Sequence, residues 1–226
     1  MRVTLLEYTQ NADELVAAAA RLCYSGEDIQ TIRTRVGGKR AQELVAKLLH
    51  MGHESPLEHV SFSFGVEGVS RALSHQLVRH RIASYSQQSQ RYVSMNNFPY
   101  VIPPSIIENE HALKDFQQCM SNILNAYQAL SKIVPQEDAR YVLPNACETQ
   151  LVVTMNARSL YNFFNLRCCN RAQWEIRQLA RTMLAVVLEV APAVFSYAGP
   201  DCWGDRGCTE GKMTCSNPPT RVGREI

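Results

Sequence analysis

The sequence predicts an α+β fold, in which a single domain of long helices packs on a small, mainly antiparallel sheet. Val60, Phe62, Phe64 and Val66 alternate with polar or small residues, which is typical of a strand with one buried face. Several longer segments have helical periodicity instead, and strands do not alternate regularly with helices as they do in a doubly wound sheet. The chain has neither a Gly-x-Gly-x-x-Gly fingerprint nor a P-loop, so any dinucleotide would be held in another way.

Two helices are predicted before this strand. Asn11 and Glu14 have the spacing of a capping pair, and an Ala-rich helix follows them to about Cys23. Residues 40–51 form the second helix, whose apolar side chains share one face and for which Gly52 is the stop.

After the strand, the pattern is mostly helical. The longest helix is expected to end before Pro135. The predicted elements are helices over about 69–80, 107–133, 157–168 and 172–190, with a second strand over about 150–155. We expect residues 1–226 to form one domain, with a tail that contains Gly and Cys from about residue 198.

Composition narrows the class of protein. Hydrophobic residues make up 46% of the chain and charged residues 19%, which is enough for a packed core. The net charge of +2 is too small for nucleic-acid binding by bulk electrostatics. No secretory segment is visible, and the most apolar stretch, 184–195, is interrupted by Glu189 and too short to span a membrane. We therefore expect a cytoplasmic protein that binds neither a membrane nor nucleic acid.

The arginines are unevenly distributed. The chain has 18 Arg but only 5 Lys, and residues 68–107 and 149–174 contain no Asp, Glu or Lys. Seven arginines lie in these two windows: Arg71, Arg79, Arg81, Arg91, Arg158, Arg167 and Arg171. If the fold brings the windows together, they predict an anion site, because the guanidinium group binds phosphate through paired hydrogen bonds. Alternatively, some of them pair with distant carboxylates such as Glu58 or Glu175.

The eight cysteines are too sparse for a disulfide scaffold. Cys202, Cys208 and Cys215 are separated by five and six residues, which matches no common zinc pattern. Three ligands would also need a fourth. We therefore predict no metal site.

The densest polar segment is 79–92. Arg79 and Arg81 would point in nearly opposite directions in a continuous helix, so both reach one pocket only if the helix ends near His80 and the chain becomes extended. Gln76 shares the helix face of Arg79. This set of side chains suits a phosphorylated ligand with a flat hydrogen-bonding ring. An RNA-binding loop is the alternative, which the low net charge disfavours.

A second polar segment forms a predicted helix after residue 156. Arg158, Asn162 and Leu166 share one face of this helix, and Arg167 points to the opposite side. The helix is therefore predicted to contact a ligand on one side and another ligand or subunit on the other. The alternative is that Asn162 and Asn165 simply face solvent.

A third polar segment, residues 53–59, is weak as a metal site and as a Ser/His catalytic arrangement. Pro56 interrupts a helix, and its two histidines do not have the spacing that places metal ligands on one helix face.

Together these segments resemble the flavin-dependent thymidylate synthase (ThyX) family. Residues 79–91 resemble its RHRxxSxxxxSxR signature, and 53–59 resemble its flavin-contacting loop. Residues 156–167 and 172–175 are similar to its C-terminal half, and 139–144 also match. The resemblance covers about residues 15–190.

The resemblance implies a homotetramer whose sites form between subunits and hold FAD and deoxyuridine monophosphate (dUMP). The implied reaction is reductive methylation of dUMP to thymidylate. NADPH reduces FAD, methylenetetrahydrofolate supplies the one-carbon unit by way of flavin N5, reduced flavin supplies the hydride, and tetrahydrofolate is released.

The resemblance also assigns site residues by position. Those implied to contact the flavin cofactor are Ser55, Glu58, Arg79, His80, Arg81, Asn156, Arg158, Asn162, Leu166 and Arg171. Those implied to bind dUMP are Gln76, Arg79, Gln87, Ser89, Arg91, Arg140 and Arg167. The implied catalytic residues are Ser89, Arg167 and His53, with Ser89 as an orienting hydroxyl rather than a nucleophile. The competing class is a non-catalytic nucleotide-binding module.

Three positions depart from commoner family residues. Arg171 stands where many relatives have His, Gln87 where others have Glu, and Cys23 where Ser is common. We hypothesise that Arg171 places a fixed cation near the flavin pyrimidine edge, which would favour anionic reduced flavin and raise its reduction potential.

Overall fold

A computed structural model describes residues 1–204 and 207–222 and has the predicted α+β architecture. Its sheet has the strand order β1-β2-β4-β3. The strands are β1 (Arg2–Tyr8), β2 (Ser61–Ser70), β3 (Ser84–Gln87) and β4 (Glu148–Asn156). The helices are α1 (Ala12–Leu22), α2 (Ile29–Arg35), α3 (Gly38–His50), α4 (Arg71–Leu77), α5 (Pro104–Ile107), α6 (Glu110–Leu130), α7 (Gln136–Ala139), α8 (Ala157–Arg167) and α9 (Trp174–Val190). Short 3₁₀ helices cover Ser55–His59, Arg140–Val142, Asp201–Trp203 and Gly211–Met213.

Contacts between strands show the antiparallel register. Thr9, just after β1, donates its backbone N–H to Ser61 at the start of β2, and Arg2 at the start of β1 pairs with Glu67 further along β2. The same reversal relates β2 to β4, because the hydroxyl oxygens of Ser63 and Thr154 lie 2.7 Å apart at one end of the pair.

The chain divides into two compact units. Unit 1 comprises residues 1–2, 65–79 and 85–152, and unit 2 comprises residues 3–64, 80–84 and the described residues from 153 onward. The expectation that residues 1–226 form one catalytic domain stays a prediction.

Unit 2 has an aromatic core. Phe62 on β2 packs edge-on against Phe195, with ring centroids 5.2 Å apart, and Phe164 on α8 contacts the same ring at 6.0 Å. The alternation predicted for β2 is confirmed, because Val60, Phe62 and Phe64 are fully buried. Burial of these large rings supplies much of the hydrophobic stabilisation of the unit and fixes α8 in place.

The core of unit 1 forms along α6. Met120 and Tyr127 on this helix belong to a buried cluster with Met95, Phe98 and Cys147. The Tyr127 hydroxyl accepts the backbone N–H of Met95 at 3.2 Å, so the one polar atom on this ring is paired.

The predicted capping pair at α1 is wrong. Asn11 has a φ of 52°, and its side chain makes no capping hydrogen bond. Its backbone carbonyl instead accepts the N–H groups of Glu14 and Leu15. Asn tolerates this left-handed conformation better than most residues do. The Glu14 carboxylate accepts the N–H of Gly38 at 3.1 Å and so stabilises the start of α3.

The end of α3 is confirmed. Gly52 has a φ of 75° and donates its N–H to the Leu49 carbonyl, and His53 donates to Leu48 at 2.9 Å. Glycine adopts this left-handed conformation without a steric penalty, which is why the helix stops here. The helix begins at Gly38, two residues before its predicted start.

The longest helix is shorter than predicted. α5 ends at Ile107, and the Asn109 side chain caps a new helix by accepting the N–H of Ala112 at 3.1 Å. α6 then ends at Leu130, before Pro135, which caps α7 instead. Elements that periodicity did not reveal include the edge strand β1, the seven-residue helix α2 and the four-residue elements β3 and α7.

The helix predicted over 69–80 is limited to α4. β2 continues to Ser70, whose hydroxyl accepts the N–H of Leu73 at 3.0 Å and starts the helix. α4 ends at Leu77.

Candidate functional site

Unit 2 contains a cleft of about 1270 Å³. Its polar lining includes Glu54, Arg158, Tyr161, Asn162 and Asn165. Four of these five residues project from α8, whose opposite side packs Phe163 and Phe164 into the core. The buried aromatic face therefore holds α8 so that its polar face lines the cleft.

Arg158 is one of two arginines that line this cleft, the other being Arg221. The Arg158 guanidinium donates to the Glu58 carboxylate, and its Nε lies 3.8 Å from Oε2 of Glu54. The hydrogen bond with Glu58 raises the pKa of Arg158, and the charges of Glu58 and Glu54 add to the effect. The alternative that the arginines pair with distant carboxylates is thus correct for Arg158. All three side chains are about half exposed, so the pairs are accessible to solvent and to a ligand.

The N-terminus of α8 is capped by Asn156. Its Oδ1 accepts the backbone N–H of Ser159 at 2.8 Å. This side chain therefore has a structural task, in addition to the cofactor contact that the resemblance implies. Leu166 is 50% exposed and is not part of the cleft lining. The predicted shared face thus lines the cleft at Arg158 and Asn162 but not at Leu166.

The other side of α8 carries Arg167, as predicted. Its Nε donates to Nε2 of His80 at 3.1 Å. The His80 ring packs edge-on against Phe163, with centroids 5.0 Å apart. Burial, followed by the nearby charge of Arg167, lowers the pKa of His80 to about 4. His80 is therefore neutral near pH 7 and accepts a hydrogen bond from a cation.

In unit 1, the extended chain after α4 presents polar side chains in sequence. The expectation that the helix ends near His80 and the chain becomes extended is confirmed, since β3 begins at Ser84. Gln87 donates from its side-chain amide to the Thr149 hydroxyl at 3.1 Å. The Ser89 hydroxyl accepts the backbone N–H of Arg91 at 3.2 Å.

Glu137 organises two of the implied substrate arginines. Nη2 of Arg91 lies 3.2 Å from Oε2 of Glu137, and Nε of Arg140 donates to the Glu137 backbone carbonyl at 3.0 Å. Sequence reasoning missed this residue because it lies 46 positions beyond Arg91, outside both acid-free windows.

Arg71 lies in the same unit and is partly buried. Burial lowers the pKa of Arg71, and the charge of Arg140 lowers it further, whereas Cys147 raises it.

The remaining implied residues occupy varied positions. His53, Ser55, Arg79 and Arg81 are exposed, and Gln76 is partly buried on α4. Arg171 lies beyond the end of α8, where its Nη1 lies 2.6 Å from Oε2 of Glu210. The cation that we expect near a flavin is therefore already paired with a carboxylate.

Across residues 1–204 and 207–222, no group of three or more His, Cys, Asp or Glu side chains is arranged to hold a metal ion. In the same described part of the chain, no helix is both long and apolar enough to cross a membrane.

An α+β protein that presents a half-exposed arginine paired with a carboxylate in each unit fits the general class of nucleotide-binding enzymes. Residues 4–193 match the family described as "Thymidylate synthase complementing protein". A flavin-dependent thymidylate synthase from Geobacter sulfurreducens is 52% identical over 95% of this chain and 94% of its own length. One from Clostridium tetani is 49% identical over 95% of this chain and 93% of its own, and one from Nitratidesulfovibrio vulgaris is 46% identical over 97% and 96%. The chain belongs to the flavin-dependent thymidylate synthase family, whose members are methyltransferases.

Proposed function

We propose that this chain converts dUMP to thymidylate, with FAD as cofactor, NADPH as reductant and methylenetetrahydrofolate as one-carbon donor, and releases tetrahydrofolate. The observation that carries the proposal is how the implied ligand residues are grouped. The residues implied for dUMP lie in unit 1, except Arg167, and those implied for FAD lie in unit 2, except Arg79. Each group has an arginine that contacts a carboxylate at an exposed surface.

The unit 2 cleft has donors and acceptors that suit a flavin nucleotide. The Arg158 guanidinium suits a pyrophosphate, and the Glu54 and Glu58 carboxylates can accept hydrogen bonds from ribose or ribityl hydroxyls. The Asn162 amide can both donate and accept hydrogen bonds. Because the Arg158–Glu58 pair is half exposed, a phosphate can exchange with the carboxylate at little cost. When bound, FAD would supply the hydride and one-carbon transfer chemistry that side chains lack.

For dUMP, we assign the phosphate to Arg91 and Arg140 and the uracil to Gln87 and Ser89. The Ser89 oxygen already accepts a backbone N–H, which leaves its hydroxyl hydrogen for donation to a carbonyl of the ring. Among the described residues, no imidazole or carboxylate hydrogen-bonds to Ser89, which supports the orienting role over a nucleophilic one.

Arg167 would act on the uracil as a fixed positive charge. Because His80 is neutral, its hydrogen bond with Arg167 does not offset the positive charge of the guanidinium group, which would stabilise a polarised carbonyl. This role requires Arg167 to stay oriented, and the hydrogen bond from its Nε to His80 helps to hold the guanidinium group in place.

A homotetramer with shared sites is part of the proposal. Ile82, Tyr92 and Tyr141 directly follow Arg81, Arg91 and Arg140 in sequence and are 76%, 79% and 82% exposed. Large apolar side chains exposed beside binding residues favour coverage by another subunit. We place the working enzyme in the cytoplasm.

The test is spectroscopic and enzymatic. The purified chain should acquire a flavin absorbance spectrum with FAD, and should release tritium from carbon 5 of labelled dUMP only when NADPH and methylenetetrahydrofolate are both present. A colourless protein that binds dUMP but never FAD would be a nucleotide-binding module and would overturn the proposal.

A further inference from the structure

The described part of the chain after α9 ends in a segment that folds back onto the α8–α9 junction. We call residues 201–204 and 207–222 the cysteine tail. The Asn170 amide donates to the Asn217 carbonyl at 2.7 Å, and Arg171 pairs with Glu210 at 2.6 Å. The Trp203 indole donates to the Pro219 carbonyl at 2.6 Å, within the tail itself.

These contacts bring four cysteines into one region of unit 2. Cys169 directly precedes Asn170 and Arg171, whose partners Asn217 and Glu210 lie two residues after Cys215 and Cys208.

Cys202 is drawn to the same place by its neighbour Asp201. One carboxylate oxygen of Asp201 accepts from Asn165 on α8, and the other accepts from Thr209, the residue after Cys208, both at 2.6 Å.

Cys169, Cys202, Cys208 and Cys215 therefore each lie within two residues of one of these side-chain contacts. Cys169 is the fourth sulfur that the spacing of the other three cysteines does not reveal.

We propose that Cys169, Cys202, Cys208 and Cys215 bind one Zn²⁺ ion and thereby fasten the cysteine tail to the α8–α9 junction. Four thiolates in tetrahedral arrangement are a common ligand set for structural zinc, and Fe²⁺ accepts the same set. Binding releases the four thiol protons to solvent and leaves a centre of net charge −2, with no oxidation or reduction.

Three arginines contact residues close in sequence to these cysteines, and one of them, Arg171, is paired with Glu210. Arg171 lies two residues after Cys169, and Arg177 donates to the Asn170 carbonyl at 2.6 Å. Arg181 donates to the Thr220 carbonyl of the tail at 2.9 Å. Nearby positive charge favours thiolates over thiols, so it favours metal binding as well.

Closure of the site requires movement of the tail. In the part of the chain that the structure describes, no three cysteine side chains are already placed to hold a metal ion. Cys208 and Cys215 are exposed, and a Cβ added at Gly207 or Gly211 would meet no atom within 4 Å, so the tail has open space on both sides of Cys208. Exposed side chains change rotamer within nanoseconds, so the Cys208 and Cys215 thiols can reorient towards an ion.

The test uses the full-length, reduced and chelator-treated protein, titrated with Co²⁺ and then Zn²⁺. We expect one ion per chain, with the strong visible and sulfur-to-metal charge-transfer bands of tetrahedral cobalt thiolate, which Zn²⁺ then removes. Substituting each of the four cysteines by Ser should weaken zinc affinity by at least about tenfold. Cys23→Ser and Cys119→Ser remove exposed thiols elsewhere and should change nothing.

A second readout distinguishes a metal site from a misfolded variant. Zn²⁺ should protect the four thiols of the native chain from alkylation, as mapped by mass spectrometry, while leaving Cys23 and Cys119 reactive. The proposal is overturned by weak or non-stoichiometric binding, by equal loss in Cys23→Ser and Cys208→Ser, or by unprotected thiols. None of these readouts depends on thymidylate synthesis.

Discussion

Arg167 and His80 form a hydrogen bond in which the cation is the donor and a neutral imidazole is the acceptor, at 3.1 Å. The pKa of His80 falls from 6.5 in a model peptide to about 4 in the folded chain. Between these values, the unfolded chain binds a proton that the folded chain does not. The contribution of His80 to the free energy of unfolding should therefore be fully present above about pH 6.5. It should decrease as the pH falls towards about 4, and the free energy should not change further from this cause below that pH.

Urea unfolding of the apoprotein across this range tests the prediction. His80→Asn should flatten the decline, while His111→Asn, which changes an exposed histidine on α6, should keep the wild-type slope. A decline that is unchanged in His80→Asn would show that the linkage lies elsewhere.

The Arg91–Glu137 pair is expected to compete with the substrate phosphate. Glu137→Gln removes the competing charge, so the dissociation constant for dUMP should fall about two- to fivefold, the size expected for a half-exposed ion pair. Asp138→Asn on the same helix is the matched control and should have no effect. Weaker dUMP binding in Glu137→Gln would mean that Glu137 positions Arg91 rather than competing for it.

The Asn156 cap gives a prediction for stability. Asn156→Ala should lower the free energy of unfolding by about 1 kcal/mol, because the N–H of Ser159 loses its acceptor. Asn156→Asp keeps the acceptor and should retain the wild-type stability in thermal and urea unfolding. Equal destabilisation of the two variants would refute the capping role.

The Arg171–Glu210 pair allows a test of redox tuning that rests on the proposed function. Arg171→His should lower the reduction potential of bound FAD, and Glu210→Gln, which leaves Arg171 uncompensated, should raise it. Redox titration of both variants against the wild-type holoenzyme measures this. An unchanged or higher reduction potential of FAD in Arg171→His would contradict the hypothesis.

The sequence was most informative where one residue dictates local geometry. Gly52 ended α3 as predicted, and the alternating apolar residues identified β2, because both signals are local. Asn11 and Asn109 illustrate the limit. Asn is a favoured helix cap, yet Asn11 adopts a left-handed conformation and its side chain does not cap α1. The Asn109 side chain does cap α6, but it lies inside a stretch whose helical periodicity is continuous, so the start of α6 was not predicted.

Partners distant in sequence were the part of the site that could not be predicted. The opposite orientations of Arg158 and Arg167 follow from helical geometry alone. Glu137 carries no local signal, because its role arises from a tertiary contact with Arg91. Cys169 carries none either, because it is the tertiary contacts of its neighbours Asn170 and Arg171 that reach the cysteine tail.

The proposed division of ligand residues between the two units is tested most directly by calorimetric titration of dUMP and of FAD into Arg91→Ala and Arg158→Ala. Arg91→Ala should bind dUMP at least about tenfold more weakly and bind FAD with unchanged affinity. Arg158→Ala should bind FAD at least about tenfold more weakly and bind dUMP with unchanged affinity. Loss of FAD binding with unchanged dUMP affinity in Arg91→Ala would contradict the assignment.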